Sequence, residues 1–287
     1  MNRVKRQLAP YFLVLPGGLW LLLFFAIPMI AMLSLSLQQG DIVYGFRFTW
    51  HFQNYVDAID DYHTQLVRSL IYAAIGTVLL IALAFPVSYW IAFYGGKRKP
   101  TYLFLLLLPF FVSFVLRTIS WRQILTDDGP VLSPLKSIGL LPESYHLLGT
   151  AEAVIGGLVY NFLPFMVLPI YVALERIDPR VVEAARDLYA NPVLTFRKVI
   201  LPLSLPGVFA GVLMSFVPMA SDYVNSEVLG SSSTTMIGQV IQSKYLVTSD
   251  YPTASALSFI LMAVLLIGIF AYARALGTED VMKVAAR

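Results

Sequence analysis

A lipid bilayer gives the backbone no hydrogen-bond partners, so a chain that crosses it repeatedly must do so as helices or as a closed barrel. Six long apolar stretches divide this 287-residue sequence, at about 11–37, 67–94, 101–125, 150–174, 207–222 and 252–275. A helix needs ~20 such residues to cross ~30 Å of hydrocarbon. The fifth stretch is the shortest and runs into Pro218, Ser221 and Asp222. Only 13% of the residues are charged, against about 25% in soluble domains. The chain therefore reads as an all-α integral membrane protein with six transmembrane helices, forming one domain over 1–287. Arg3, Lys5 and Arg6 precede the first stretch as they would in a signal peptide. The apolar core of such a peptide is only about 7–15 residues long. The run from Tyr11 to Leu37 exceeds that and is predicted to be a retained span.

Charge sets the orientation. With the N-terminus in the cytoplasm, 14 of the 20 basic residues fall inside, among them Lys97, Arg98, Lys99, Arg176, Arg180, Arg197 and Lys198. Six basic residues remain outside with 11 of the 17 acidic ones. Both termini are then cytoplasmic, as is the loop at about 175–206. The loops at about 38–66, 126–149 and 223–251 are external. The chain has no cysteine, which excludes disulfides and thiolate metal sites. His51, His63 and His146 lie apart in external loops without ligand spacing, so no metal is expected.

The cytoplasmic loop is a charged island in an otherwise lipid-soluble chain. Asp178-Pro179 supplies an N-cap and a first-turn proline, and Asn191-Pro192 repeats the signal. Two short helices are predicted, over about 179–189 and 192–200, with Pro202 and Pro206 preventing simple continuation. Val182, Ala185, Leu188 and Tyr189 fall on one apolar face. By itself such an element reads as an amphipathic loop on lipid headgroups.

Its residues identify it more sharply. Glu183-Ala184-Ala185, Leu188, Ala190, Phe196, Leu201-Pro202-Leu203 and Pro206-Gly207 resemble the "EAA" signature of ABC importer permeases. In that family the two helices dock in a groove on a separate ATPase subunit. The resemblance assigns coupling to Glu183, Ala184, Ala185, Arg186, Asp187, Tyr189, Ala190, Asn191 and Phe196. Tyr189 stands where the family has glycine. A left-handed tyrosine costs about 1 kcal/mol. Either the turn shifts to Asn191, or the ATPase groove has room for a ring.

Further segments resemble the first permease subunit of spermidine/putrescine importers. They include Phe52-Gln53-Asn54-Tyr55, Leu108-Pro109-Phe110, Arg117-Thr118, Gly157-Leu158-Val159-Tyr160, Leu163-Pro164-Phe165-Met166 and Leu174-Glu175-Arg176-Ile177-Asp178. The resemblance implies a type I fold in a bacterial inner membrane. It also implies a second permease, two ATPase subunits that hold ATP and Mg²⁺, and an extracytoplasmic binding protein. No cofactor is implied on this chain and no nucleic acid as a partner.

For the solute route, charged groups near the membrane interior are the first candidates. Asp222 and Glu227, with Tyr223, follow the fifth stretch, and carboxylates beside aromatic rings suit an alkylammonium ion. Trp121, Tyr160, Arg117 and Asp127 join them. The structural alternatives are that Arg117 pairs with Glu152 or Asp222, and that Arg122 and Asp127 reach to the outer interface. Gly207 and Gly211 form a small-xxx-small face for helix packing.

Competing readings are an importer for another small organic solute such as an amino acid derivative, a secondary transporter or channel, and an intramembrane enzyme. The last lacks any H-E-x-x-H or G-x-S-x-G constellation. No P-loop sequence is present, and no repeat of the kind that marks secondary transporters is visible.

Overall fold

A computed structural model describes residues 14–275. The described chain divides into two compact units, residues up to 63 with 241–262, and 64–240 with 263 onwards.

In the first unit, helix α1 (Val14–Ser36) is apolar throughout, and no residue of its most hydrophobic window is covered by protein. That suits a helix facing lipid. A hairpin follows, β1 (Gln38–Asp41) antiparallel to β2 (Gly45–Phe48) with Gln38 opposite Phe48. The Asp41 carboxylate closes its turn by accepting from the backbone N–H groups of Val43 and Tyr44, both at 2.8 Å. Asn54 Nδ2 donates to the carbonyls of Ser36 and Gln38 at 2.9 and 2.8 Å, and Ser36 bonds the Tyr55 hydroxyl at 2.7 Å. These bonds tie the end of α1 to the start of α2 (Gln53–Tyr94).

The segment 38–66, expected as a loop, is thus a hairpin followed by helix. α2 has 42 residues, or about 63 Å at 1.5 Å per residue, twice the hydrocarbon thickness. Its first turns carry Asp57, Asp60 and Asp61, which belong in water, so hydropathy alone places its start too late.

In the second unit the core lies along α6 (Ala151–Glu175), where Val154, Leu158, Met166, Val167, Ile170 and Leu174 are buried. Thr150 caps this helix by accepting from Ala153 N–H at 3.3 Å. A fifth span, α8 (Pro192–Ala220), packs against it through the two glycines expected there. A Cβ on Gly207 would sit 2.5 Å from both Ala173 Cβ and the Pro169 carbonyl oxygen, and one on Gly211 would sit 2.6 Å from Met166 Sδ. The backbones meet too closely for any larger residue.

Two expectations change here. The stretch 101–125 is not one straight helix. A helical run over Gly96–Phe111, with α3 (Lys99–Leu107) at its centre, meets α4 (Phe114–Ile124) at 87°. Pro109 removes a donor, and Val112 turns extended at φ −82° and ψ 145°. The described residues therefore hold five uninterrupted apolar helices, with a sixth span if the bent pair counts as one. The second change concerns Pro202 and Pro206, which do not end the helix begun at Pro192. A π turn over Phe196–Ile200, closed by Leu201 N–H to the Phe196 carbonyl, precedes Pro202. The wider turn accommodates the ring and its missing donor without a break.

The remaining elements are α5 (Leu132–Ser137), α7 (Pro179–Asp187), α9 (Val224–Leu229), α10 (Ile237–Leu246) and α11 (Tyr251–Ala275).

Candidate functional site

Residues 177–200 form a mostly exposed corner. Ile177 is buried, while Asp178 accepts from Arg180 N–H at 2.9 Å and starts α7. The helix ends in a bond from Ala190 N–H to the Ala185 carbonyl at 3.1 Å. This is the six-to-one closure of a Schellman motif, with Tyr189 in its left-handed position. Tyr189 has φ 58°, whereas Asn191 stays at φ −70° and caps the next helix by accepting from Leu194 N–H at 2.8 Å. The turn does not shift to Asn191; the tyrosine itself takes the glycine conformation.

The reversal at Tyr189 also divides the expected apolar face. Val182 and Ala185 are half-buried, whereas Leu188 is 82% and Tyr189 98% exposed. The helical period stops at Asp187, so the last two residues project outward instead of completing the stripe. Glu183, Ala184, Asp187 and Val193 are exposed beside them. Arg186 lies in the last turn of α7 and Ala190 in the connecting turn. Phe196 faces inward, edge-on to Phe85 at 5.5 Å and Tyr89 at 6.2 Å between ring centroids. It joins the corner to α2.

Among the route candidates, the structure gathers Arg117, Trp121 and Tyr160. Tyr160 lies 5.1 Å from Trp121 and 5.7 Å from Phe110 between ring centroids. Trp121 and Tyr160 line a cavity of about 340 Å³ together with Glu152, Gly156 and Leu163. The Arg117 guanidinium lies over the Phe110 ring at 4.3 Å. It forms no ion pair with Glu152 or Asp222, contrary to the structural alternative above. Glu152 is exposed, and Asp222 is engaged elsewhere.

Asp222 and Glu227 do not converge. Asp222 is 8% exposed, and its Oδ1 accepts from Asn225 N–H at 2.8 Å and Asn225 Nδ2 at 3.1 Å. It caps α9, while Glu227 is exposed and Tyr223 is 42% exposed. Asp127 stands in a polar clasp, with its carboxylate 3.0 Å from Lys136 Nζ and 2.6 Å from His146 Nδ1. Hydrogen bonds from Lys136 and then His146 hold its carboxyl below the usual range. A second cavity of about 420 Å³ opens beside it, between Thr126, Asp128, His146 and Leu148.

A buried polar chain escaped sequence reasoning. Asn161 Nδ2 donates to Thr118 Oγ1 at 3.1 Å and to Asn225 Oδ1 at 3.0 Å, which links α4, α6 and α9 to Asp222. Gly157 makes room for it, since a Cβ there would sit 2.6 Å from Asn225 Oδ1. The available signal was an asparagine in the middle of an apolar helix, a residue that bonds across helices in membranes.

The comparisons with known proteins agree with this geometry. Residues 7–276 match the family "Binding-protein-dependent transport system inner membrane component". The spermidine/putrescine transport system permease protein PotB of Haemophilus influenzae is 35% identical over 89% of this chain and 90% of that protein. PotB of Escherichia coli is 33% identical over 89% and 94%. The fold is shared with a chain of a bacterial ABC transporter involved in the import of the acidic polysaccharide alginate. That match has a TM-score of 0.72 and 19% identity over 96% of this chain and 97% of the other. A chain of the MetNI methionine ABC transporter matches at a TM-score of 0.55 and 17% identity, over 77% and 94%. The chain thus belongs to the binding-protein-dependent transport system inner membrane components, the multi-pass permease subunits of ABC importers.

Proposed function

We propose that this permease forms half of the translocation pathway of an ATP-driven polyamine importer, and that residues 179–200 receive the mechanical input from the ATPase. The observation that carries the solute class is the 35% identity to a spermidine/putrescine permease over nine-tenths of both chains. The partners are a homologous second permease, two ATPase subunits that bind ATP and Mg²⁺, and an extracytoplasmic binding protein. The chain itself performs no hydrolysis. The distribution of Lys and Arg supports placing both termini and the 177–200 corner on the cytoplasmic side.

The geometry supports the coupling role in two ways. Leu188, Tyr189 and Val193 form an uncovered apolar tip rimmed by Glu183 and Asp187. An apolar centre with a polar rim is the anatomy of a docking surface. Val193 of that tip lies in the first turn of α8, 29 residues long. Displacing one end of such a rod moves its other end ~40 Å away, at 1.5 Å per residue. Closure of the ATPase dimer would then rock the span, and the pathway would open alternately to the two sides. Route roles are proposed for Asp222, Glu227, Tyr223, Trp121, Tyr160, Arg117 and Asp127. Trp121 and Tyr160 carry most of that proposal because they line the 340 Å³ cavity.

Glu183→Lys tests the coupling role. The residue is exposed, so insertion and folding remain intact while solute-stimulated ATP hydrolysis is lost. Normal transport by this variant would remove the assignment. The second reading, an importer of an amino acid derivative, is distinguished by competition with unlabelled amino acids.

A further inference from the structure

Arg117 is a half-buried charge with two buried nitrogens left unpartnered. Its guanidinium lies 4.3 Å from the Phe110 ring centroid and 5.8 Å from those of Phe114 and Tyr160. Nε and Nη1 are buried and meet no hydrogen-bond acceptor. The ion pairs present, Lys99–Glu175, Lys136–Asp127, His146–Asp127 and Lys244–Asp250, leave it out. Arg68, by contrast, donates from Nη1 to the Thr235 carbonyl at 2.9 Å. Aromatic faces attract a guanidinium but accept none of its in-plane N–H bonds. Arg117 is half-buried, yet buried N–H donors without an acceptor are costly, and ionisable groups at membrane depth pair with something.

The geometry points to a carboxylate of the second permease subunit as the missing acceptor, with Arg117 as the anchor that joins the two halves of the pathway. A carboxylate is the acceptor that both neutralises a guanidinium and takes its hydrogen bonds. This chain's own acids nearby do not serve, since Asp222 is bound to Asn225 and Glu152 is turned to the open cavity. Ser113 and Ser120 lie one turn before and one turn after Arg117 and are both uncovered. Small hydroxyl residues on that stripe suit contact with another helix better than contact with lipid. The inference rests on the polyamine reading, because a polyamine brings no anion of its own to meet Arg117.

The test uses the complete importer in proteoliposomes, with two readouts, retention of the second permease on purification and uptake of radiolabelled spermidine. Arg117→Gln is expected to lose the second permease or to lower uptake on the order of tenfold or more, because it removes one member of a buried charge pair. Arg117→Lys keeps the charge and retains most of both signals. Arg117→Glu is then combined with a change to Arg at each acidic residue in the spanning helices of the second permease, and one combination restores assembly. This swap series decides the matter even if Arg117→Gln alone fails to insert. The inference is overturned if Arg117→Gln assembles and transports as wild type, or if no swap restores assembly. A raised KM for a carboxylate-bearing solute with assembly intact would also overturn it, by making the solute the acceptor. Absence of spermidine uptake by the wild type would retire the polyamine reading separately, and the assembly readout needs no solute.

Discussion

Replacing Tyr189 by glycine separates the cost of its backbone from the value of its ring. The residue holds φ 58° at the end of α7. Relief of the left-handed strain favours glycine by about 1 kcal/mol, and the extra freedom of glycine in the unfolded chain opposes by about 0.5–1 kcal/mol. The ring is 98% exposed, so no packing inside this chain is lost. The expected change in the chain's own stability is therefore within about 0.5 kcal/mol of zero. Docking behaves differently. An aromatic side chain buries about 150–250 Å² at an interface, worth about 4–6 kcal/mol gross at ~25 cal/mol per Å². Truncated anchors in well-packed interfaces lose about 2–4 kcal/mol net, which is about 30- to 1000-fold in Kd. The assay is titration of the permease pair in nanodiscs with ATPase subunits, alongside thermal unfolding of the pair alone. Tyr189→Asn, which tolerates the same φ, should lose as much affinity as glycine does. Unchanged affinity with Tyr189→Gly would refute the claim that the exposed ring is a docking contact. A large fall in the unfolding midpoint would refute the strain argument.

Two further outcomes follow from the packing and from the Asp127 clasp. Gly207→Ala places a methyl 2.5 Å from the Pro169 carbonyl oxygen, so α6 and α8 must separate; a loss of about 1–3 kcal/mol is expected from such overpacking, read as a lowered unfolding midpoint in detergent. The Asp127 carboxyl is held low by Lys136 and His146, so its contribution to the clasp is fully present above the unfolded value near 3.8 and disappears as pH falls through its lower folded value. Hydrogen exchange over 126–148 should rise only in strong acid for the wild type and already at neutral pH for Asp127→Ala.

Hydropathy and charge bias made the spans and the island legible, because a bilayer admits few solutions and the basic residues cluster. The Asp178-Pro179 and Asn191-Pro192 signals placed both helix starts, and the structure uses both caps, although the second helix runs on to Ala220. What escaped were contacts distant in sequence and one irregular helical turn. The early start of α2 is fixed by Asn54 reaching the carbonyls of Ser36 and Gln38, which no local pattern encodes. The survival of α8 through Pro202 depends on a π turn, and proline rules written for regular helices miss it. Position after the fifth stretch and residue type grouped Asp222 with Glu227. The fold instead turns Asp222 inward to cap α9 and leaves Glu227 exposed. The Asn161–Asn225 link became visible only once α6 and α9 were side by side.

The central claim is an ATP-driven polyamine importer worked through the 179–200 corner. Radiolabelled spermidine uptake into proteoliposomes holding the complete complex, with ATP inside or outside, tests it most directly. The expected result is accumulation that requires ATP on the side of the ATPase subunits, competition by putrescine, and loss of both uptake and stimulated ATP hydrolysis with Glu183→Lys. Spermidine accumulation by the Glu183→Lys complex at the wild-type rate, or uptake that proceeds without ATP, would contradict it.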